Sequence, residues 1–139
     1  PGVASNRSGR ARVPGERQRS DEQLKASVGR DGVIGAAMDS WMLYPGWVKG
    51  ETDPAVVTLE AVADHIEHVG DLAGGTRNAG IGTDLDGGFG KEQSPCDLET
   101  IADLGRVGEM LSERGYSGED VAAIRHENWL RFLRDILPE

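Results

Sequence analysis

The chain predicts an α/β fold with a parallel sheet, and three observations carry that expectation. Residues 33–38 (Val-Ile-Gly-Ala-Ala-Met) and 78–83 (Asn-Ala-Gly-Ile-Gly-Thr) are short runs with no polar alternation, the pattern of strands buried on both faces. Helical periodicity surrounds each run, giving the order helix, strand, helix, strand, helix, helix. Two strands alone would leave two open edges, so the sheet needs further strands and the chain reads as part of something larger.

Each element has a local reason. Ser20-Asp21-Glu22-Gln23 has the form of a capping box, in which the serine and the glutamine satisfy each other's backbone N–H groups. It predicts a helix over 21–28, with Leu24 and Val28 on one face and Gly29 as its stop. Asp31-Gly32 turns the chain into the first strand. Residues 39–50 form an aromatic loop holding Trp41, Tyr44 and Trp47, whose tryptophans are expected to pack beneath it rather than line a pocket. Thr58 caps a second helix, in which Leu59, Val62, Ile66 and Val69 recur at spacings of three and four before Gly74-Gly75 ends it. After the second strand and its glycine-rich loop, a helix is expected over 98–114, with Ile101, Leu104, Val107 and Leu111 inward and Gly115 as its stop. Ser117-Gly118-Glu119-Asp120 caps another helix reaching Ile124, and 128–137 forms the last. Residues 1–19 carry Arg7, Arg10, Arg12, Arg17 and Arg19 without hydrophobic period and read as a loop or arm.

Composition narrows the function. At 139 residues the chain is one domain in size, and 37% hydrophobic with 5% aromatic residues makes a modest core. A net charge of −9 argues against nucleic acid or an anionic membrane as the main partner. The single cysteine, Cys96, excludes an internal disulfide and an all-cysteine metal site, and reads as an incidental loop thiol. No apolar run has transmembrane length and no signal-peptide or lipid-anchor pattern is present. The cytoplasm is therefore the default compartment, although the chain begins at Pro1 without a methionine and a missing N-terminal portion is expected.

Candidate chemistry centres on residues 79–90, where a strand runs into a loop carrying Asp84 and Asp86. Calcium binding of the EF-hand kind is excluded, because the fifth and twelfth loop positions are Gly88 and Pro95. Asp84 is open to two readings: a carboxylate at a strand's C-terminal end that binds an ammonium group or moves a proton, or a turn former bonding its own backbone. Asp86 is read as the turn former. His65 and His68 have the i, i+3 helical spacing that can bind zinc, but they read instead as solvent-facing residues paired with the neighbouring acids Asp64 and Glu67. Arg17 follows a Pro-Gly turn and could grip a carboxylate with its forked guanidinium, and His126 reads as a surface or capping residue. No Gly-x-Ser-x-Gly elbow occurs, and Gly80-x-Gly82 does not open a helix, so a dinucleotide site is excluded.

Several stretches in order resemble the C-terminal part of the membrane dipeptidase (renal dipeptidase-like) family, in wording closest to bacterial members. They are Ala4-Ser5-Asn6-Arg7, the stretch from Val13 through Arg17 to Gln23, Gly32-Val33-Ile34-Gly35, and the stretch from Trp41 to Trp47. They continue with Asp64-His65-Ile66-Glu67-His68-Val69, Gly80 to Gly87, Arg114-Gly115-Tyr116-Ser117 and Glu127-Asn128-Trp129-Leu130-Arg131. The resemblance implies a metal-dependent hydrolase on an (α/β)8 TIM-type barrel, incomplete in this chain, with residues 20–139 supplying the final strands and helices. It implies hydrolysis of dipeptides by water activated on two zinc ions. Carried over by residue, Asp84 contacts the dipeptide's amino end and handles protons, and Arg17 clamps its carboxylate. At Asn6 the family has a histidine that ligates zinc, and an asparagine amide is a poor substitute. The remaining family ligands lie upstream of Pro1, and the positions of His65 and His68 are not among them. Two expectations follow. Either the chain is the C-terminal portion of a dipeptidase, inactive alone, or it is a non-catalytic relic or interaction module that pairs with another chain, as a homo-oligomer or with a missing N-terminal part.

Overall fold

The computed structural model describes the backbone of residues 4–6 together with residues 18–85 and 87–137. Three parallel strands, β1 (Ala4–Asn6), β2 (Val33–Ala36) and β3 (Ala79–Ile81), form one sheet in the order β1-β2-β3. Asn6 pairs with Gly35, Gly35 with Gly80, and Ala36 with Ile81. The strand within the stretch expected to be a loop, β1, was missed because Ala-Ser-Asn carries no apolar run to announce it. The other two strands are shorter than the apolar runs that contain them.

One face of the sheet is covered by helices. Helix α1 (Asp21–Val28) opens on the expected capping box at Ser20, and α3 (Leu59–Ala73) ends on Gly74, whose φ of +72° suits glycine. Both pack on β2, and α3 also packs on β3. Ile34, Ala36 and Ala79 join Leu24, Leu59, Val62, Ile66 and Val69 in the core between these layers. The helical period of three and four in α3 and the buried strands thus meet on one surface, as the hydrophobic pattern requires. Thr58 makes no side-chain cap; the Leu59 N–H is instead taken by Asp97 Oδ1 at 2.9 Å.

Of the C-terminal helices, the first packs on α3, where Val107 and Leu111 join the same core, and the last brings Trp129 to the opposite face of the sheet. Helix α4 (Gly105–Glu113) is preceded by a 3-10 turn at Ile101–Leu104, so helix does not begin at residue 98, and Ile101 is 75% exposed rather than inward. After Gly115, with a φ of +94°, come α5 (Gly118–Ala122), a π-helical turn at Ala123–Glu127 and α6 (Asn128–Ile136). Gly35 and Gly80 sit side by side on this face, and both need to be glycine. A Cβ on Gly80 would lie 2.6 Å from Trp129 Nε1, and one on Gly35 would lie 2.7 Å from the Gly82 backbone and 3.0 Å from the Trp129 ring. The indole lies on this glycine floor, edge-to-face with Phe132 at 6.3 Å between ring centroids.

These residues also close one edge of the sheet. Asn128 Nδ2 donates to Ala79 O at 2.8 Å and to Thr76 O at 2.7 Å, and Trp129 Nε1 donates to Ile81 O at 2.9 Å. The outward carbonyls of β3, which a neighbouring strand would otherwise use, are occupied by side chains of the chain's own last helix. The expectation of two open edges is corrected for β3, whose Ala79 and Ile81 carbonyls are occupied; β1 is the other outer strand of the described sheet.

Candidate functional site

The C-terminal edge of a parallel sheet is where α/β proteins place their chemistry, because strands end there and loops begin on a rigid mount. In this chain that edge carries two acids. The Met38 N–H bonds Thr83 O at 2.9 Å, continuing the β2–β3 ladder past its assigned ends. The next residues on the two strands, Asp39 and Asp84, therefore face each other across the edge, three positions beyond the Ala36–Ile81 pair.

Asp84 is half-buried and holds a φ of +58°, a backbone state unusual outside glycine. Its carbonyl accepts the Gly87 N–H at 3.0 Å, and a Cβ on Gly87 would come within 2.8 Å of that oxygen and 2.9 Å of Asp84 Oδ1. The turn is thus made by the Asp84 backbone with glycine as its necessary partner. Among the described residues none donates a hydrogen bond to the Asp84 carboxylate, and the residue is half-buried at the edge.

Asp39 was passed over in the sequence as the start of a loop, yet the signal for it is the one that marked Asp84: an acid directly after a buried apolar run. It is 5% exposed. Gln93 Nε2 donates to its Oδ1 at 2.9 Å, and Trp41 Nε1 donates to its Oδ2. Burial pushes the Asp39 carboxyl above the usual carboxylate range; the bonds from Gln93 and Trp41 oppose this, and the nearby charge of Asp84 adds to it. Trp41 belongs to a one-turn helix, α2 (Ser40–Leu43), inside the expected loop. Trp47 packs on the core, in keeping with packing rather than a pocket.

Three buried polar atoms of this part of the chain have no hydrogen-bond partner among the described residues: Gln18 Oε1, Ser40 Oγ and Trp47 Nε1. Gln18 is tied to α2 through its other amide atom, which donates to Met42 O at 3.0 Å. Unmet buried polar groups cost about 1–3 kcal/mol each, so their concentration in this part of the chain marks a place that a further polar surface would complete. Beside the Asp84 loop lies a groove of about 230 Å³ lined by Leu85, Phe89, Leu98 and Ile101. Lys91 shapes its rim, donating to Cys96 O and Leu98 O, each at 2.8 Å, and pairing with Glu99 at 2.9 Å.

The other residues singled out from sequence fall elsewhere. Asn6 ends β1, level with Gly35 and Gly80 and four residues short of Asp84 along the sheet. Arg17 and Asp86 lie outside the described residues. His65, expected to face solvent, is 2% exposed on the packed side of α3. His68 Nε2 is 2.9 Å from Asp21 Oδ1 and joins α3 to α1, and His126 is exposed beside Glu127 at 3.5 Å. Cys96 is half-buried in a loop, its N–H bonded to Val57 O at 2.9 Å. Among the described residues no group of three or more His, Cys, Asp or Glu side chains could hold a metal ion. Both helix histidines are used in packing or pairing, and the donor set at the sheet edge consists of two aspartates without imidazole, so these residues do not fit a zinc centre. No helix among the described residues is long and apolar enough to cross a membrane.

A parallel sheet layered with helices, with acids gathered at its C-terminal edge, defines an α/β protein of the kind that carries a site on that edge. The model of the membrane dipeptidase family (peptidase family M19) matches residues 1–137, and the chain belongs to that family, whose members are metallopeptidases. Dipeptidase aclJ of Aspergillus oryzae is 32% identical over 136 residues, spanning 98% of this chain and 30% of the relative. Dipeptidase verJ of Clonostachys rogersoniana is 49% identical over 90 residues, 65% of this chain and 22% of the relative. A Rhodobacter sphaeroides metallopeptidase, solved with a phosphinate mimic of the dipeptide L-Ala-D-Ala, superposes with a TM-score of 0.78 at 23% identity, covering 93% of this chain and 34% of that one. An amidohydrolase from Pseudomonas aeruginosa also gives 0.78, at 24% identity, over 98% of this chain and 45% of that one. The chain thus spans about 30% of the length of the first of these relatives.

Proposed function

We propose that this chain is the C-terminal, substrate-binding wall of a dipeptidase-type site on an (α/β)8 barrel whose other strands it does not contain. The observation that carries the reading is Asp84, a half-buried carboxylate at the C-terminal end of a parallel strand, fixed by a strained turn and free of described hydrogen-bond partners. In this role Asp84 binds the ammonium end of a dipeptide and exchanges a proton with it, and Arg17 clamps the carboxylate end. In the complete family enzyme two zinc ions would supply an activated water. No step through zinc is assigned to the residues of this chain, because Asn6 stands where the family has a histidine and the described residues offer no ligand cluster.

The three polar atoms without a described partner support the same reading, since they await a surface from outside the described residues. The expected result is that the 139-residue chain, incubated with zinc and a dipeptide such as Ala-Ala, releases no amino acids above the uncatalysed background. Clear turnover abolished by Asp84→Asn would overturn the view that the chain is only a wall. The second reading, a non-catalytic module that pairs with another chain, is favoured by Asn6 and by the place of β1 as an outer strand of the described sheet. It predicts a stable complex in solution that forms without zinc.

A further inference from the structure

The tie between Asp39 and Gln93 joins residues 54 positions apart, both at most 9% exposed. Gln93 ends the 3-10 turn Lys91–Gln93, which closes the loop that Asp84 opens. Between those ends lie Gly87, Gly88 and Gly90, residues that lose the most freedom when a loop is fixed. The turn at Asp84 fixes the near end of this loop, and the Gln93–Asp39 bond ties its far end back to β2. A neutral acceptor could anchor Gln93 and Trp41 without the desolvation penalty of a buried carboxylate. The use of an anion here calls for a second role, and the neighbouring charge supplies it. Asp39 faces Asp84 across the sheet edge, so both carboxylates add to the negative potential at the same spot.

Resting on the reading of Asp84 as the amine contact, we propose that Asp39 is its positioning residue: it pins residues 87–93, which follow Asp84, to the end of β2 through Gln93 and adds its charge to the place where the substrate's ammonium group is held. The two contributions separate experimentally, because pinning is independent of salt and the charge is not.

The test uses the 139-residue chain and L-alaninamide, a cation with no carboxylate, followed by NMR through the Trp41 indole N–H and the backbone amides of residues 84–93. N-acetyl-L-alaninamide is the neutral control. In the unaltered chain alaninamide shifts these signals, the neutral control does not, and the Kd rises with salt. Asp84→Asn abolishes the shifts. Asp39→Asn, with the rest of the amide spectrum retained, raises Kd by about fivefold and flattens its salt dependence. Gln93→Met keeps the charge and breaks the tie, so it raises Kd by roughly twofold or more with the salt dependence intact. If Asp39→Asn does not fold, Gln93→Met decides, and an unchanged Kd there overturns the proposal. An unchanged Kd and salt slope in a folded Asp39→Asn, with binding still lost in Asp84→Asn, also overturns it while leaving the Asp84 reading in place. Failure of alaninamide to bind the unaltered chain, or unaltered binding by Asp84→Asn, removes the Asp84 reading and this inference with it.

Discussion

Asn128→Ala probes the closure of the β3 edge directly. The side chain is 5% exposed, and its Nδ2 serves two backbone carbonyls, Thr76 O at 2.7 Å and Ala79 O at 2.8 Å. Truncation removes both donations and leaves both acceptors where solvent reaches them poorly. A buried acceptor left unpaired costs about 1–3 kcal/mol, and partial access of water to the Thr76 side lowers the sum, so a loss of about 2–4 kcal/mol is expected. With a urea m-value of about 2 kcal/mol/M for a chain of this size, the unfolding midpoint should fall by roughly 1–2 M at unchanged m. Asn128→Asp is the informative companion. It keeps the size but turns an oxygen toward two oxygens, and it should cost at least as much as the alanine. The reasoning fails if the midpoint moves by less than about 0.3 M, or if aspartate is well tolerated, since either result would mean that the amide donors do not hold the edge.

Gly80→Ala should destabilise by about 1–3 kcal/mol in the same urea assay, because its Cβ would meet Trp129 Nε1 at 2.6 Å; pairing it with Trp129→Leu should recover part of the loss. Arg114 bonds Asp64 at 2.8 Å and Glu67 at 3.0 Å and also pairs with Glu60, so Arg114→Met removes the guanidinium that bridges three acids on one face of α3. It should cost about 1–2 kcal/mol at low salt and distinctly less in 1 M NaCl, read by thermal denaturation. The hydrogen bond from Arg77, opposed by desolvation and helped by the charges of Arg131 and Arg77, holds the Asp31 carboxyl below its ordinary 3.8. A depressed pKa contributes stability above 3.8 that is lost as pH falls through the folded value, so Asp31→Asn should be less stable than the parent at pH 7 and equal to it at the acid end. With Asp31 about half exposed, the gap at pH 7 should stay under about 1 kcal/mol.

Much of this architecture is written in local patterns. The capping boxes at Ser20 and Ser117 and the apolar spacing of α3 are short-range signals, and the structure has them where the sequence puts them. What escaped depends on partners distant in sequence. The strand at Ala4–Asn6 exists because Gly35 offers a ladder, and nothing in Ala-Ser-Asn states that. Ile101 follows the helical period yet faces outward, because Thr100 and Asp103 close a capping box that starts the turn three residues later than the apolar spacing suggests. His65 sits beside acids in the chain but turns inward, since α3 is covered along a wider stripe than its aliphatic residues alone mark out. At the candidate site, Asp84 was visible as an acid after a strand. Asp39 carried the same mark and was hidden by the tryptophans that follow it, and its bond to Gln93 spans a separation that no sequence window covers.

The capped edge of β3 also bears on how copies of this chain can associate. Strand addition propagates only when a molecule offers two complementary edges, one to receive and one to extend, as in open fibres. Here Asn128 and Trp129 occupy the Ala79 and Ile81 carbonyls, so a strand added beside β3 has to displace both side chains before it can pair. The last helix thus sets a cost on strand addition at this edge.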